Sequence, residues 1–134
     1  MKRRMLDSDI LSMYLKGDPN VTPNVSAYLS EFDYLTLSII SEYEIRRGLE
    51  YKNATTQLTQ FEAFVGDNEV LAFNANACKI AARLYATLRH SGQLIADGDL
   101  LIAASALAHD CVLVTNNERH FQRVSELRVE NWKR

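Results

Sequence analysis

Asp7 and Asp9 stand in MLDSDIL at 5–11, and Glu42 follows the apolar run YLTLSII at 34–40. Asp97 and Asp99 flank Gly98, and Asn116 and Asn117 follow CVLVT at 111–115. Carboxylates that converge repel one another and stay ionised only when a cation sits between them. Hard divalent ions such as Mg²⁺ and Mn²⁺ take oxygen ligands, and Mg²⁺ usually keeps several waters. An ion held this way activates water and stabilises the charge of a phosphoryl transition state, which is the chemistry of phosphodiester hydrolysis.

Each acid also has a plain structural use. Asp7, Ser8 and Asp9 all suit the N-cap between a strand and a helix. Glu42 suits the first turn of a helix, where the dipole favours negative charge. It also forms an i, i+3, i+7 stripe with Ile45 and Leu49, which predicts an inward face. An inward carboxylate is costly unless it is paired or binds a cation. Around Gly98 one aspartate serves as a cap, so Asp99 is taken as the ligand and Asp97 as cap or outer partner.

The elements that must position these residues are legible from periodicity. MLD at 5–7 reads as a first strand and residues 10–16 as an amphipathic helix, broken by Gly17 and Pro19. A second helix is expected over 24–31. YLTLSII reads as a buried strand, with Ser41 as N-cap of a helix over 42–52. A helix over 54–65 is expected to end at Gly66, and EVLAF at 69–73 is a third strand. Asn74 caps a long helix reaching His90, closed by Ser91 and Gly92. Residues 97–109 form a helix of small and apolar residues, 111–115 a fourth strand and 127–129 a fifth. Strands alternating with helices predict an α/β fold with a parallel sheet covered on both faces. Ligand sites in such sheets lie beyond the carboxyl ends of the strands. That rule gathers Asp7, Asp9, Glu42, Asn116 and Asn117. The helix at 97–109 is expected to feed the fourth strand from the opposite end, so the rule leaves Asp97 and Asp99 unplaced.

The chain has 134 residues, 47% hydrophobic and 24% charged, which suits one domain over 1–134. Fifteen Lys and Arg against 17 Asp and Glu give a net charge of −2. That excludes nucleic-acid binding by global charge and leaves a local acidic site with basic residues around it. Cys78 and Cys111 lack metal-ligand spacing and read as reduced packing residues. Asp7 and Asp9 interrupt the apolar stretch after the basic start too early for a signal peptide. No apolar run has the length of a membrane span. A soluble, cytoplasmic protein is expected.

MLDSDIL at 5–11, SIISEYEIRRG at 38–48, DLLIAASALAHDCVLVTNN at 99–117, HF at 120–121 and LRVENW at 127–132 together resemble PIN-domain proteins. They are most similar to the VapC-type toxins of bacterial toxin–antitoxin modules. The resemblance implies a three-layer α/β/α sandwich and an endoribonuclease dependent on Mg²⁺ or Mn²⁺. It also implies a homodimer and a cognate VapB-type antitoxin. By position, Asp7 and Asp99 match the metal-binding aspartates, and Glu42 matches the acid in the helix after strand two. Two departures stand out: Asp9 replaces a common Asn, and Asn116 and Asn117 fall where a fourth acid is frequent.

On this reading Asp7 and Asp99, with Glu42 directly or through water, hold one ion, while Asn116 or Asn117 orients water or phosphate. Arg46, Arg47, Arg119, His120 and Arg123 are candidates for the RNA backbone, or else solvated surface or antitoxin contacts. His120 has no Ser or Cys partner for a triad. Tyr14, Tyr28, Phe32 and Tyr34 suit either an interface or the core. Two alternatives stand beside this one. A haloacid-dehalogenase-like phosphatase is suggested by LDSD at 6–9 and ADGD at 96–99. Ile10 in place of a small residue, and Lys79 in mid-helix, argue against it. A non-catalytic PIN-like module binding RNA or protein is suggested by the amides at 116–117.

Overall fold

Met5 and Leu6 are neighbours in a strand, so their side chains leave on opposite faces of the sheet. Both are fully buried, so the sheet is covered on both sides. In the computed structural model, which describes residues 2–134, the strands are β1 (Arg4–Leu6), β2 (Thr36–Ser38), β3 (Glu69–Leu71), β4 (Val112–Val114) and β5 (Val129–Glu130). They form one five-stranded sheet in the order β3-β2-β1-β4-β5. Every neighbouring pair is parallel. The helices are α1 (Ser8–Leu15), α2 (Val21–Leu29), α3 (Ile39–Tyr51), α4 (Thr55–Asp67), α5 (Ala75–His90), α6 (Asp97–Ala108) and α7 (Glu118–Phe121).

Two cores result. Met5 and Leu113 pack with Leu84 and Leu88 of α5, Ile102 of α6 and Phe121 of α7. Leu6 and Val114 face the other way, against Ile10 of α1, Val25 of α2, Ile45 of α3 and Phe61 of α4. The expected three layers, α/β/α, are therefore present. Each large apolar side chain buried here contributes about 2 kcal/mol of transfer free energy.

Several boundaries differ from the sequence expectation. The second strand stops at Ser38, and the β-branched Ile39 and Ile40 begin α3. Ser38 is the N-cap, its hydroxyl accepting from Ser41 N at 3.0 Å, while Ser41 lies buried in the first turn. Asn74 caps α5 as expected, accepting from Ala77 N at 2.8 Å. α4 runs through Gly66 to Asp67. The short α7 was not expected. Cys111 is buried, but Cys78 is exposed and so is no packing residue. Tyr28 is buried and stacks on Phe32 at 4.3 Å, Tyr14 meets Phe64, and Tyr34 remains 46% exposed. Among the described residues no helix is long and apolar enough to cross a membrane.

From β1 the chain moves outward to β2 and β3, then returns to β4 on the other side of β1. The crevice beyond β1 and β4 is thus the topological switch point, where ligands bind in open α/β sheets. α6 ends at Ala108, just before β4 begins at Val112, so it runs against the strands. Arg3 at the amino end of the sheet donates to His109 O at 3.4 Å, which fixes that end of α6. Its N-terminus, with Asp97 and Asp99, therefore lies at the carboxyl end of the sheet, which places the two aspartates that the strand rule had left unplaced.

Candidate active site

Three consecutive residues after β4 each hold one aspartate. The Thr115 hydroxyl donates to Asp7 Oδ2 at 2.8 Å. Asn116 N donates to Asp9 Oδ2 at 3.0 Å. Asn117 Nδ2 donates to Asp99 Oδ2 at 3.3 Å, and His120 Nδ1 lies 3.3 Å from the same oxygen. Asn117 and His120 are themselves 2.9 Å apart. Asp7 also caps α1, its Oδ1 accepting from Ser8 N at 2.8 Å. Cap and site position coincide, because β1 is followed at once by a helix whose first N–H groups point into the crevice.

Asp7 is 5% exposed. Burial, then the nearby Asp9 charge, push its carboxyl up to about 7, against the pull of the Thr115 hydroxyl and Ser8 N–H. Burial also raises Asp9, although the N–H groups of Asn116 and Ile10 work against it. Among the described residues no Lys or Arg forms a salt bridge with Asp7, Asp9 or Asp99.

Glu42 does not join them. Its Oε2 accepts from Arg46 Nε at 2.7 Å, and Arg46 Nη1 reaches Glu62 Oε2 of α4 at 2.8 Å. Glu44 stands there instead. Its Oε1 accepts from the Ser8 hydroxyl at 2.5 Å, and a Cβ placed on Gly98 would lie 2.6 Å from its Oε2. One wall of the cleft carries Ser8, Asp9, Glu44 and Gly48; the next carries Glu44, Gly98, Asp99 and Arg47. Two residues along a helix is a rotation of about 200°, so the two glutamates flank the buried Ser41–Ile45 stripe on opposite sides. The inward spacing of Glu42 with Ile45 was real, but it led to the α4 side. The overlooked signal is the row Ser41, Glu44, Gly48 at i, i+3, i+7, whose small residues leave the cleft open around one acid.

The remaining candidates divide. Asp97 is exposed in the first turn of α6, whose N-cap is Ala96. Asn116 turns its side chain away from the aspartates, its Oδ1 accepting from Asn131 at 3.0 Å. Arg46 is engaged by two glutamates. Arg47 is exposed, lies over the Tyr43 ring at 5.2 Å and borders Asp99's side of the cleft. Arg119 is exposed, and Arg123 donates to Leu94 O at 3.2 Å.

The donor set is all carboxylate and amide oxygen, half-buried and held by neutral donors, which suits a hard divalent ion. Among the described residues no three His, Cys, Asp or Glu side chains form a closed metal cage. A mostly hydrated ion held by one or two carboxylates fits this arrangement.

The PIN domain family profile matches residues 4–127. The chain is 30% identical over 129 residues to ribonuclease VapC2 of Rickettsia felis, covering 96% of each. It is 29% identical over 134 residues to the tRNA(fMet)-specific endonuclease VapC of Shigella flexneri, covering 98% of this chain and 99% of that one. Among solved structures it is similar to VapBC2 from Rickettsia felis bound to a promoter DNA fragment, with TM-score 0.88, 27% identity, and coverage of 96% of this chain and 98% of that one. DNA-bound VapBC from Salmonella typhimurium gives TM-score 0.87 and 28% identity, with coverage of 98% and 99%.

Proposed function

The chain belongs to the PIN domain family, and on that premise we propose that it is a metal-dependent endoribonuclease, the toxin of a toxin–antitoxin pair. The observation that carries this reading is the gathering of Asp7, Asp9, Asp99 and Glu44 at the switch-point crevice with no Lys or Arg paired to them among the described residues. The names of its relatives, ribonucleases and toxin–antitoxin complexes, support it. Residues 1–134 act as one nuclease domain, as a cytoplasmic homodimer held in check by a VapB-type antitoxin.

Mg²⁺ or Mn²⁺, when bound, supplies an activated water and a counter-charge for the phosphoryl group. Asp7 and Asp99 would hold it, with Glu44, directly or through water, in the role first assigned to Glu42. The Thr115 hydroxyl keeps Asp7 in place, and Asn117 with His120 fixes one oxygen of Asp99 so that the other faces the cleft. Arg47 and Arg119 bind RNA phosphates at the rim. Arg46 is removed from that role by its two glutamates. The phosphatase alternative gives way to the family match. It would need Asp7 as an exposed nucleophile, whereas Asp7 is buried.

The test uses protein stripped with a chelator and incubated with total bacterial RNA, with Mg²⁺ or Mn²⁺ added back. Discrete cleavage is expected for the wild type. A drop of more than about 100-fold is expected in Asp7→Asn and Asp99→Asn, beyond what loss of an outer partner causes. Metal-independent cleavage, or cleavage that persists in both variants, would reject the proposal. Metal binding without cleavage of any RNA would favour the non-catalytic module.

A further inference from the structure

The 115–118 segment is the common support of all three aspartates, and it is gripped from behind by one residue of the C-terminal tail. Asn131 follows β5. Its Nδ2 donates one hydrogen to Asn116 Oδ1 at 3.0 Å and the other to Glu118 Oε2 at 3.0 Å. Its own Oδ1 accepts from Lys133 N at 2.9 Å. Both amide hydrogens and the carbonyl are therefore used, and the orientation of the amide is dictated by its partners. Arg134 adds a second hold on Glu118 at 2.6 Å. The tail is fastened elsewhere, by Trp132 buried against Tyr28, by Asn24 donating to Trp132 O at 3.1 Å and by Lys133 on Asp18 at 2.6 Å.

We propose that Asn131 is a positioning residue for the metal site, acting through the 116–118 segment. Asn116 N holds Asp9, and Asn117 holds Asp99, so a shift of this segment moves two carboxylates at once. The strand beneath does not hold it unaided, since β4 ends at Val114 and Asn116 is exposed. This inference rests on the reading of the cleft as a metal-dependent nuclease site. Partners that orient ligands commonly change metal affinity by about 10- to 100-fold when lost.

Asn131→Asp keeps the size and the acceptor for Lys133 N, removes both donated hydrogens and sets a carboxylate against Glu118. Mn²⁺ affinity is measured by electron paramagnetic resonance in the absence of RNA, alongside kcat and KM for RNA cleavage and the Tm. The expected result is about tenfold weaker Mn²⁺ binding and a lower kcat with little change in KM. Asn131→Ala gives the same direction, should the aspartate variant not fold. The double variant Asn131→Asp with Glu118→Gln reverses donor and acceptor at that one contact and recovers part of the affinity, since Asn116 Oδ1 still lacks its donor. Lys133→Met loosens the same tail at Asp18 and leaves Mn²⁺ affinity at the wild-type value. Wild-type Mn²⁺ affinity in the Asn131 variants, or equal weakening in Lys133→Met, would overturn the proposal. Wild-type protein that binds Mn²⁺ but cuts no RNA would sink the nuclease reading alone. A wild type that binds no Mn²⁺ would sink both.

Discussion

Two acidic regions lie on either side of α3 and are built on opposite rules. On the α4 side Glu42 and Glu62 share the guanidinium of Arg46, which itself lies over the Phe61 ring at 5.5 Å. Arg46 holds Glu62 below the ordinary carboxylate range, and Glu62 and Glu42 hold Arg46 above its own. On the crevice side the carboxylates meet a hydroxyl, backbone N–H groups, an amide and the imidazole of His120, with no Lys or Arg paired to them among the described residues. Neutral hydrogen bonds orient a carboxylate without cancelling its charge. Asp7, buried beside Asp9, is accordingly driven the other way, up to about 7. Acidity alone therefore does not mark a site. The mark is acidity that the fold leaves unbalanced, at the place where its topology opens.

The largest expected effect that can break this contrast concerns Asp7. Its folded carboxyl titrates near 7, above the value of about 4 in an unfolded chain, so the folded state binds the extra proton between them. Stability of the metal-free protein should fall as pH rises through that window and then level off. At pH 8 the cost is on the order of a few kcal/mol. Asp7→Asn should then raise the Tm in chelator at pH 8 by about 5 °C or more and flatten its pH dependence. A variant no more stable than wild type at pH 8 would mean that the charge is balanced after all.

Next comes the pair of glutamates. Glu44→Gln should lower cleavage and Mn²⁺ affinity by about 10- to 100-fold. Glu42→Gln should leave both untouched and cost within about 1 kcal/mol of stability by denaturant titration, as a part-exposed ion pair does. The reverse ranking would restore the assignment made from the sequence. The smallest effect sharpens the comparison. Gly98→Ala sets a methyl group 2.6 Å from Glu44 Oε2, and that carboxylate is the far end of a flexible side chain. Helix propensity gains up to about 1 kcal/mol in α6. The variant should therefore be as stable as wild type or more so, yet cleave several times more slowly. Wild-type cleavage would show that Glu44 need not stay where it is.

Much of this architecture is legible in the sequence. The doubly apolar runs at Met5–Leu6 and Val112–Val114 announce a sheet buried on both faces, and Asn74 and Asp7 announce the helices they cap. Asp7 and Asp99 fall in the crevice where they were expected. The choice between Glu42 and Glu44 was marked in the sequence only by the small residues Ser41 and Gly48 in the row of Glu44. Both flank the same buried stripe, and what separates them is Glu62, twenty residues on, which draws Arg46 and Glu42 to the α4 side. Ser38 and Ser41 pose a similar ambiguity, resolved only by where β2 stops. The direction of α6 follows from topology, since a helix ending beside the amino end of β4 must begin at the carboxyl end.

At the opposite pole of the sheet, Arg3 pairs with Glu69 and Lys2 with Asp110. The chain is thus electrically quiet at one end and negative at the other, and this sets an order of arrival. A phosphate backbone that reaches the crevice meets Arg47 at the border and like charge at Asp7, Asp9 and Asp99, and it is drawn in further once a cation has been there before it. The carboxylates of that crevice suit a cationic side chain as well as a metal ion, so the ion and a basic side chain would compete for them.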